Sequence, residues 1–303
     1  MRPEPQRLFL VSCLCLLLGA GSVLADGLER RFSVRPGGDL RIEAEGARVE
    51  IVTGGDGASV QILRRGDSEE DILDDYRIDF VHDGDRLEIE VEKKRRWRLW
   101  DSRSGLQIRV RVPQIFNVDV STSGGSVDIS DLDGEVSATT SGGRVRVAGI
   151  SGPVEVRTSG GSIEIGDVEG EVSARTSGGS IHIDRAGASV VAETSGGGIR
   201  VDEVQGPIDA HTSGGSVRAF ISEPPGAASS LRTSGGSVTV YLADDVGVDL
   251  DARTSGGRVA SDFDVLVAAN SCRHCGDLVG AINGGGPELR LRASGGGIRV
   301  LRK

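Results

Sequence analysis

The chain has 303 residues, a formal net charge of −10, 46 glycines and only 3% aromatic residues. The acidic balance argues against nucleic acid as a partner, and the few aromatic residues favour a thin core of stacked aliphatic side chains. Only Cys272 and Cys275 lie beyond the first 25 residues, which excludes a disulfide-rich scaffold.

Residues 1–25 have the anatomy of a secretory signal peptide. Arg2 and Arg7 precede an apolar run, and a small-residue cleavage site follows at Val23-Leu24-Ala25. A lipoprotein cleavage box at Leu10–Cys13 is the less favoured alternative, because apolar sequence continues to Ala25. We therefore expect an extracytoplasmic protein, in the periplasm, on the cell surface or secreted, with no transmembrane segment after signal removal.

Residues 26–116 alternate apolar and polar side chains without a fixed repeat. Leu87–Val91 and Ile108–Val112 are typical predicted strands, and Pro36–Asp39 is a predicted turn. We expect this part to continue into the repeats that follow and to cover their first strands, which would otherwise leave an exposed sheet edge.

A basic and aromatic run interrupts this part. It consists of Lys93, Lys94, Arg95, Arg96, Trp97, Arg98, Leu99 and Trp100. Cations beside indole rings are suited to an anionic polymer or membrane surface, which makes the run a candidate binding site. The favoured alternative is a loop whose tryptophan rings cover the end of the repeats.

From Thr122 to Gly257 the sequence Thr-Ser-Gly-Gly occurs eight times. Its serines are Ser123, Ser141, Ser159, Ser177, Ser195, Ser213, Ser234 and Ser255. The first six are spaced 18 residues apart and the last two follow at 21-residue steps. A strict period predicts a solenoid in which each unit buries its apolar face against its neighbours.

One unit, residues 159–176, illustrates the predicted rung. Ile163 and Ile165 alternate with polar residues, a turn follows, and Val172 and Ala174 alternate again. This pattern predicts two short strands per rung of 18–21 residues, stacked as two parallel sheets. The fold class is therefore an all-β parallel β-helix, right-handed by the usual crossover preference, whose Gly-Gly pairs allow positive φ at tight corners where a Cβ would clash.

The threonine and serine before each Gly-Gly predict rows of hydroxyls along one edge. We favour a structural role in turn hydrogen bonding over recognition of a repetitive ligand such as a glycan. Calcium is not favoured, because the position that needs carboxylates carries Asp128, Arg146 and Glu164 in turn. The alternating signs instead predict ion pairs between neighbouring rungs.

At the other end, the repeats (117–303) are interrupted by an insertion at 262–292, after which one strand of a last copy remains. The insertion contains Cys272 and Cys275, for which export favours a small disulfide. A metal site and a redox site stay open as alternatives, although one nearby histidine leaves a zinc site short of ligands. We expect no catalytic residue, metal or cofactor.

A strand-rich opening, the step Val110-Arg111-Val112-Pro113 and serial Ser-Gly-Gly-x-Val/Ile units resemble the bacterial putative-adhesin family of β-strand repeat proteins, formally a domain of unknown function. The resemblance covers nearly the whole chain after residue 25. It implies an envelope or secreted β-solenoid and supplies no catalytic residues.

These observations predict a non-catalytic, adhesin-like surface, binding or scaffolding module. The predicted partner is an envelope glycan or anionic surface, and the candidate contacts are the outward residues Arg146, Arg157, Arg175, Arg200 and Arg218. The alternatives are a regulatory envelope sensor that binds a protein partner and, less favoured, a polysaccharide-active enzyme. Pairing of exposed solenoid ends into a homo-oligomer also stays open.

Overall fold

The computed structural model describes residues 27–94, 105–267 and 276–303, whose regular secondary structure is almost entirely β-strand. The one helix among them, α1 (Glu69–Asp75), begins after Ser68. The Ser68 hydroxyl accepts a hydrogen bond from the Asp71 N–H, and the Asp71 carboxylate accepts one from the Ser68 N–H. None of the described helical structure is long and apolar enough to cross a membrane.

The strands fall into three groups along the chain. The N-terminal strands are β1 (Leu28–Phe32), β2 (Gly38–Ala44), β3 (Arg48–Thr53), β4 (Ala58–Leu63), β5 (Tyr76–Asp83), β6 (Arg86–Lys93) and β7 (Gln107–Val112). The repeat strands are β8 (Phe116–Thr122), β9 (Val127–Leu132), β10 (Val136–Thr140), β11 (Val145–Ile150), β12 (Val154–Thr158), β13 (Ile163–Val168), β14 (Val172–Thr176), β15 (Ile181–Ala186), β16 (Val190–Thr194), β17 (Ile199–Val204), β18 (Ile208–Thr212), β19 (Val217–Ile221), β20 (Ser229–Thr233) and β21 (Val238–Leu242). The C-terminal strands are β22 (Val248–Thr254), β23 (Val259–Ser261), β24 (Leu266–Val267), β25 (Asp277–Ile282), β26 (Glu288–Ala293) and β27 (Ile298–Arg302).

These strands form two sheets, and each rung of the repeat gives one strand to each sheet. The 13-stranded sheet has the order β1-β4-β7-β3-β9-β11-β13-β15-β17-β19-β21-β27-β23. The 14-stranded sheet has the order β24-β25-β22-β26-β20-β18-β16-β14-β12-β10-β8-β2-β6-β5. The predicted all-β solenoid with two short strands per rung is confirmed.

The core consists of aliphatic side chains stacked in register from rung to rung. Val145, Ile163, Ile181 and Ile199 are successive partners along the 13-stranded sheet, and each is at most 2% exposed. Burial of such a side chain stabilises the folded state by about 1.5–3 kcal/mol, so every rung contributes through contact with both neighbours.

The Gly-Gly corners differ from the prediction in their backbone conformation. No described glycine of a Thr-Ser-Gly-Gly corner has a positive φ. The second glycine is instead required by close stacking, since a Cβ on Gly179 would lie 1.9 Å from the carbonyl oxygen of Gly161. The first glycine is less confined, because a Cβ on Gly178 would meet its nearest atom at 3.5 Å.

The N-terminal strands add further rungs to the stack. Strands β2 and β3 lie in register beside β8 and β9, and β6 and β7 lie outside them. Antiparallel strands β1, β4 and β5 complete this end. Arg64 is buried there, and its ion pairs with Asp67 and Asp75 tie α1 to the sheet.

The C-terminal rungs do not stack in chain order. Strands β26 and β27 insert between the rung of β20 and β21 and the rung of β22 and β23. Residues 288–292, assigned to the insertion from sequence, therefore belong to β26, and the last copy has two strands. The alternating Leu289 and Leu291 are fully buried, which explains why this short segment takes a place in the stack.

Candidate functional site

An open groove follows the edge of the solenoid where the Thr-Ser-Gly-Gly corners stack, on the side of the 14-stranded sheet. We call it the corner groove. Its walls are the serines of five successive corners and the side chain before each corner threonine. These residues are Ser141, Ser159, Ser177, Ser195 and Ser213, with Thr139, Arg157, Arg175, Glu193 and His211.

The threonine hydroxyls of this edge are used inside the fold. Thr194 Oγ1 donates to the carbonyl oxygen of Gly179 at 2.8 Å and accepts a bond from the Gly197 N–H at 3.4 Å. The same two bonds recur at Thr140, Thr158, Thr176, Thr212 and Thr233. The predicted structural role is therefore confirmed for the threonine row.

The serine row differs from the threonine row. The five groove serines are exposed, and no described residue hydrogen-bonds to their hydroxyl groups. A hydroxyl is both donor and acceptor, so the groove presents one free polar group per rung at the spacing of the strands, about 4.8 Å. The predicted structural role therefore accounts for the threonines and for Ser123, whose hydroxyl accepts a hydrogen bond from the Gly46 N–H, but not for the five groove serines.

The five candidate arginines do not share a face. Arg146, Arg200 and Arg218 lie on the outer face of the 13-stranded sheet, in β11, β17 and β19. Arg157 and Arg175 lie on the 14-stranded sheet, in β12 and β14. Because the strand before each corner and the strand after it belong to opposite sheets, one ligand surface cannot include all five.

Four of these arginines are already paired with carboxylates. Arg146 Nη2 lies 2.6 Å from Glu164 Oε2 on the next rung, and this hydrogen bond holds the pKa of Glu164 below its ordinary value. The other pairs are Arg157 with Glu155, Arg175 with Glu193 and Arg200 with Asp202. The predicted pairing of charges between rungs is confirmed at Arg146, while Arg218 has no ion pair with a described residue.

A histidine and two aspartates meet on the 13-stranded sheet, which the sequence did not predict. His182 Nε2 lies 3.2 Å from Asp184 Oδ1 and 3.0 Å from Asp202 Oδ2. Their three ligand atoms lie within 4.8 Å of one another, close enough to hold a metal ion together. Arg200 Nε, however, lies 2.6 and 2.9 Å from the two oxygens of Asp202, so the carboxylate is already engaged.

Burial alone would raise the pKa of Asp202, but hydrogen bonds from Arg200 and His182 outweigh it and lower that pKa. These hydrogen bonds stabilise the negative charge of Asp202 on the outer face of the sheet, and the bond from His182 links the rungs of β15 and β17.

An aromatic pair lies nearby on the same face. Phe220 and Tyr241, on neighbouring strands, stack with ring centroids 4.4 Å apart and planes at 7°. The Arg200 guanidinium covers Phe220 at 5.9 Å from its centroid. The ring faces are thereby directed along the solenoid axis, and the pair acts as a cross-strand contact. Its signal in the sequence was the 21-residue spacing of the two rings.

The structure describes only part of one predicted site and none of another. Lys93 ends β6, and the Lys94 ammonium donates to the carbonyl oxygen of Leu73, at the end of the stack that carries α1. The other members of the basic-aromatic run, Arg95, Arg96, Trp97, Arg98 and Trp100, lie outside the described residues. So do residues 1–25, Cys272 and Cys275, whose roles stay predictions.

Comparison with known proteins gives a family and several solved structures, among them the following two. A putative cell adhesion protein from Clostridium sporogenes is similar over 91% of this chain and 100% of its own, with 13% identity and a TM-score of 0.25. A putative adhesin from Bacteroides fragilis is similar over 91% of this chain and 97% of its own, with 11% identity and a TM-score of 0.43. No curated protein matches the sequence. Residues 38–300 match the family model described as Toastrack DUF4097, and the chain belongs to that family.

Proposed function

We propose that this protein is a non-catalytic, extracytoplasmic binding module of the adhesin type, whose corner groove binds a linear, hydroxyl-rich envelope glycan. The proposal is carried by the free serine row. Within the five groove corners the threonine is explained by its hydrogen bonds and the second glycine by close stacking, whereas no described residue hydrogen-bonds to the serine hydroxyl.

The neighbouring column of the groove varies while the serines do not. From rung to rung it carries Thr139, Arg157, Arg175, Glu193 and His211, yet a serine lines every one of these rungs. An exposed position that is free to vary and does not vary among the repeats of one chain is the position that a repetitive ligand would contact. The varied column would then set selectivity for charge along the polymer.

The energetics suit such a ligand. A hydrogen bond between hydroxyl groups contributes a net of about 0.5–1.5 kcal/mol, so one serine binds nothing by itself. Five groove serines in a row can bind the same polymer chain at once, so their small contributions add up. The stacked strands hold these serines in place before binding, which lowers the entropic cost. The predicted signal peptide at 1–25 supports a location where envelope glycans are accessible.

The test is co-sedimentation of the protein with purified insoluble cell-wall glycan across a salt series. The variant replaces Ser141, Ser159, Ser177, Ser195 and Ser213 with alanine. The matched control replaces Ser126, Ser162 and Ser180, which follow the Gly-Gly pair on the other side of the corner and do not line the groove.

We expect binding to persist at high salt and to fall at least tenfold in the groove variant but not in the control. Because the groove hydroxyls are exposed, the thermal midpoint should stay the same in both variants. Equal binding by the groove variant, or no binding by the natural sequence, contradicts the proposal.

A further inference from the structure

The rung formed by β26 and β27 occupies a slot inside the stack rather than its end. Its strands pair on one side with β20 and β21 and on the other with β22 and β23. The chain reaches this slot by passing around β22, because β25 pairs antiparallel with one edge of β22 and β26 pairs parallel with the other. The slot is therefore a binding surface for a two-stranded segment.

One side of this slot lacks a link that the regular corners have. The last rung has Ala293 where the other corners have threonine, and Ala293 pairs in register with Thr233. The carbonyl oxygen of Gly236 consequently accepts no hydrogen bond from a threonine hydroxyl, whereas the carbonyl oxygen of Gly215 accepts one from Thr233 and that of Gly296 accepts one from Thr254. The contact between β20–β21 and the last rung is thus weaker by one buried hydrogen bond than the contacts between regular rungs.

The segment that leads into the slot has the features of a hinge. Five residues, Asn283 to Pro287, separate β25 from β26. Asn283, Gly284 and Gly285 have φ of 50°, 88° and 86°, and these three are consecutive. Asn283 holds this turn through bonds from its side-chain amide to the carbonyl oxygens of Asp244 and Val246. A short hinge in a left-handed conformation favours exchange of the segment that follows it between copies.

We propose that the slot binds residues 288–302 of a second copy of this chain, so that two copies exchange their last rungs. We identify the occupant as this segment of a second copy because its side chains match those that line the slot. The aliphatic side chains Leu289, Leu291, Ile298 and Val300 are all fully buried in it. The slot also places Asp251 of β22 beside Arg292 of β26, with 2.5 Å between Asp251 Oδ2 and Arg292 Nη2. A second copy restores every one of these contacts. This interaction is independent of the corner groove and of any glycan.

The test uses two full-length variants, each with one new cysteine on a strand that lines the slot. One copy carries Asp249→Cys and the other Glu288→Cys, since these positions are in register across β22 and β26 and leave the pair of Asp251 with Arg292 intact. The copies are mixed at high concentration and oxidised mildly. The matched control mixes Arg157→Cys with Arg175→Cys, which are in register across β12 and β14 in the regular part of the stack.

We expect a covalent dimer of the two different copies from the slot pair and none from the control pair. Placing both slot cysteines in one chain should give a cross-linked monomer that no longer exchanges, which shows that the variants fold. A further variant, Ala293→Thr, supplies the missing donor for Gly236 and should slow exchange by about threefold to tenfold. Absence of the mixed dimer at any concentration, or equal cross-linking in the control, overturns the proposal.

Discussion

Thr254 donates its hydroxyl hydrogen to the carbonyl oxygen of Gly296 at 2.6 Å, across 42 residues of sequence. At the regular corners the same bond reaches back to the second glycine of the preceding corner, as from Thr158 to Gly143. Because the last rung lies between Thr254 and the corner that precedes it in the chain, the bond turns towards a residue that follows in the sequence. Neighbours in space and neighbours in sequence are thus different at this end of the solenoid.

The corner threonines should contribute strongly to stability through their hydroxyls. Thr194→Val keeps the shape of the side chain but leaves the Gly179 carbonyl oxygen and the Gly197 N–H without their partner. We expect the free energy of unfolding to fall by about 1–3 kcal/mol, measured by denaturant titration. Thr194→Ser keeps the hydroxyl and should lose less than half as much. An equal loss in both variants would assign the effect to packing instead.

The two glycines of one corner should respond differently to the same substitution. A Cβ at Gly179 would lie 1.9 Å from the Gly161 carbonyl oxygen, whereas one at Gly178 would lie 3.5 Å from its nearest atom. We expect Gly179→Ala to destabilise the protein by about 3 kcal/mol and Gly178→Ala by less than about 1 kcal/mol. Thermal unfolding of the two variants side by side measures this difference. Equal midpoints would show that the rungs separate easily.

The ion pair of Asp251 and Arg292 should give a pH-dependent contribution to stability. Burial alone would raise the pKa of Asp251, but the hydrogen bond from Arg292 and the charges of Arg253 and Arg290 lower it overall. A carboxyl whose pKa is lower in the folded state stabilises that state above its unfolded pKa, about 3.9, and loses this effect as the pH falls through the folded value.

Arg292→Met should therefore destabilise the protein by about 2 kcal/mol at pH 7, and the difference from the natural sequence should shrink below about pH 4. Unfolding by urea at a series of pH values measures it. Arg232→Met, at an exposed position of β20 on the same sheet, is the control. A difference that is constant with pH would show that the alkyl chain of Arg292, and not its charge, is what matters.

The repeat made the fold predictable. In one unit Ile163 and Ile165 alternate with polar residues and are followed by Val172 and Ala174, and small or aliphatic residues recur at the equivalent positions of the other units. The order of the rungs was not predictable. Leu289 and Leu291 alternate as in any other rung, and nothing in such a pattern specifies which neighbour a rung will have. Positive φ at the Gly-Gly corners was wrong because a clash with the neighbouring rung, invisible within one unit, is what excludes a Cβ.

The candidate sites were predictable to a smaller extent. Exposure of Arg146 and Arg157 followed from alternation, but they lie on opposite sheets because a corner separates them. The contact of His182 with Asp202 joins residues that are 20 positions apart in the sequence. This separation is one 18-residue rung plus two residues, so the two residues are not equivalent positions of the repeat. The serine row was visible in the sequence as a repeat, whereas its lack of internal partners required the hydrogen bonds of the whole edge.

The place of the last rung also affects how the protein is made. Strands β22 and β23 are synthesised before β26 and β27, yet they end up farther along the stack. Any pairing of β22 and β23 with β20 and β21 before β26 and β27 are synthesised must break again to admit the last rung, so this end of the stack cannot assemble simply in the order of synthesis.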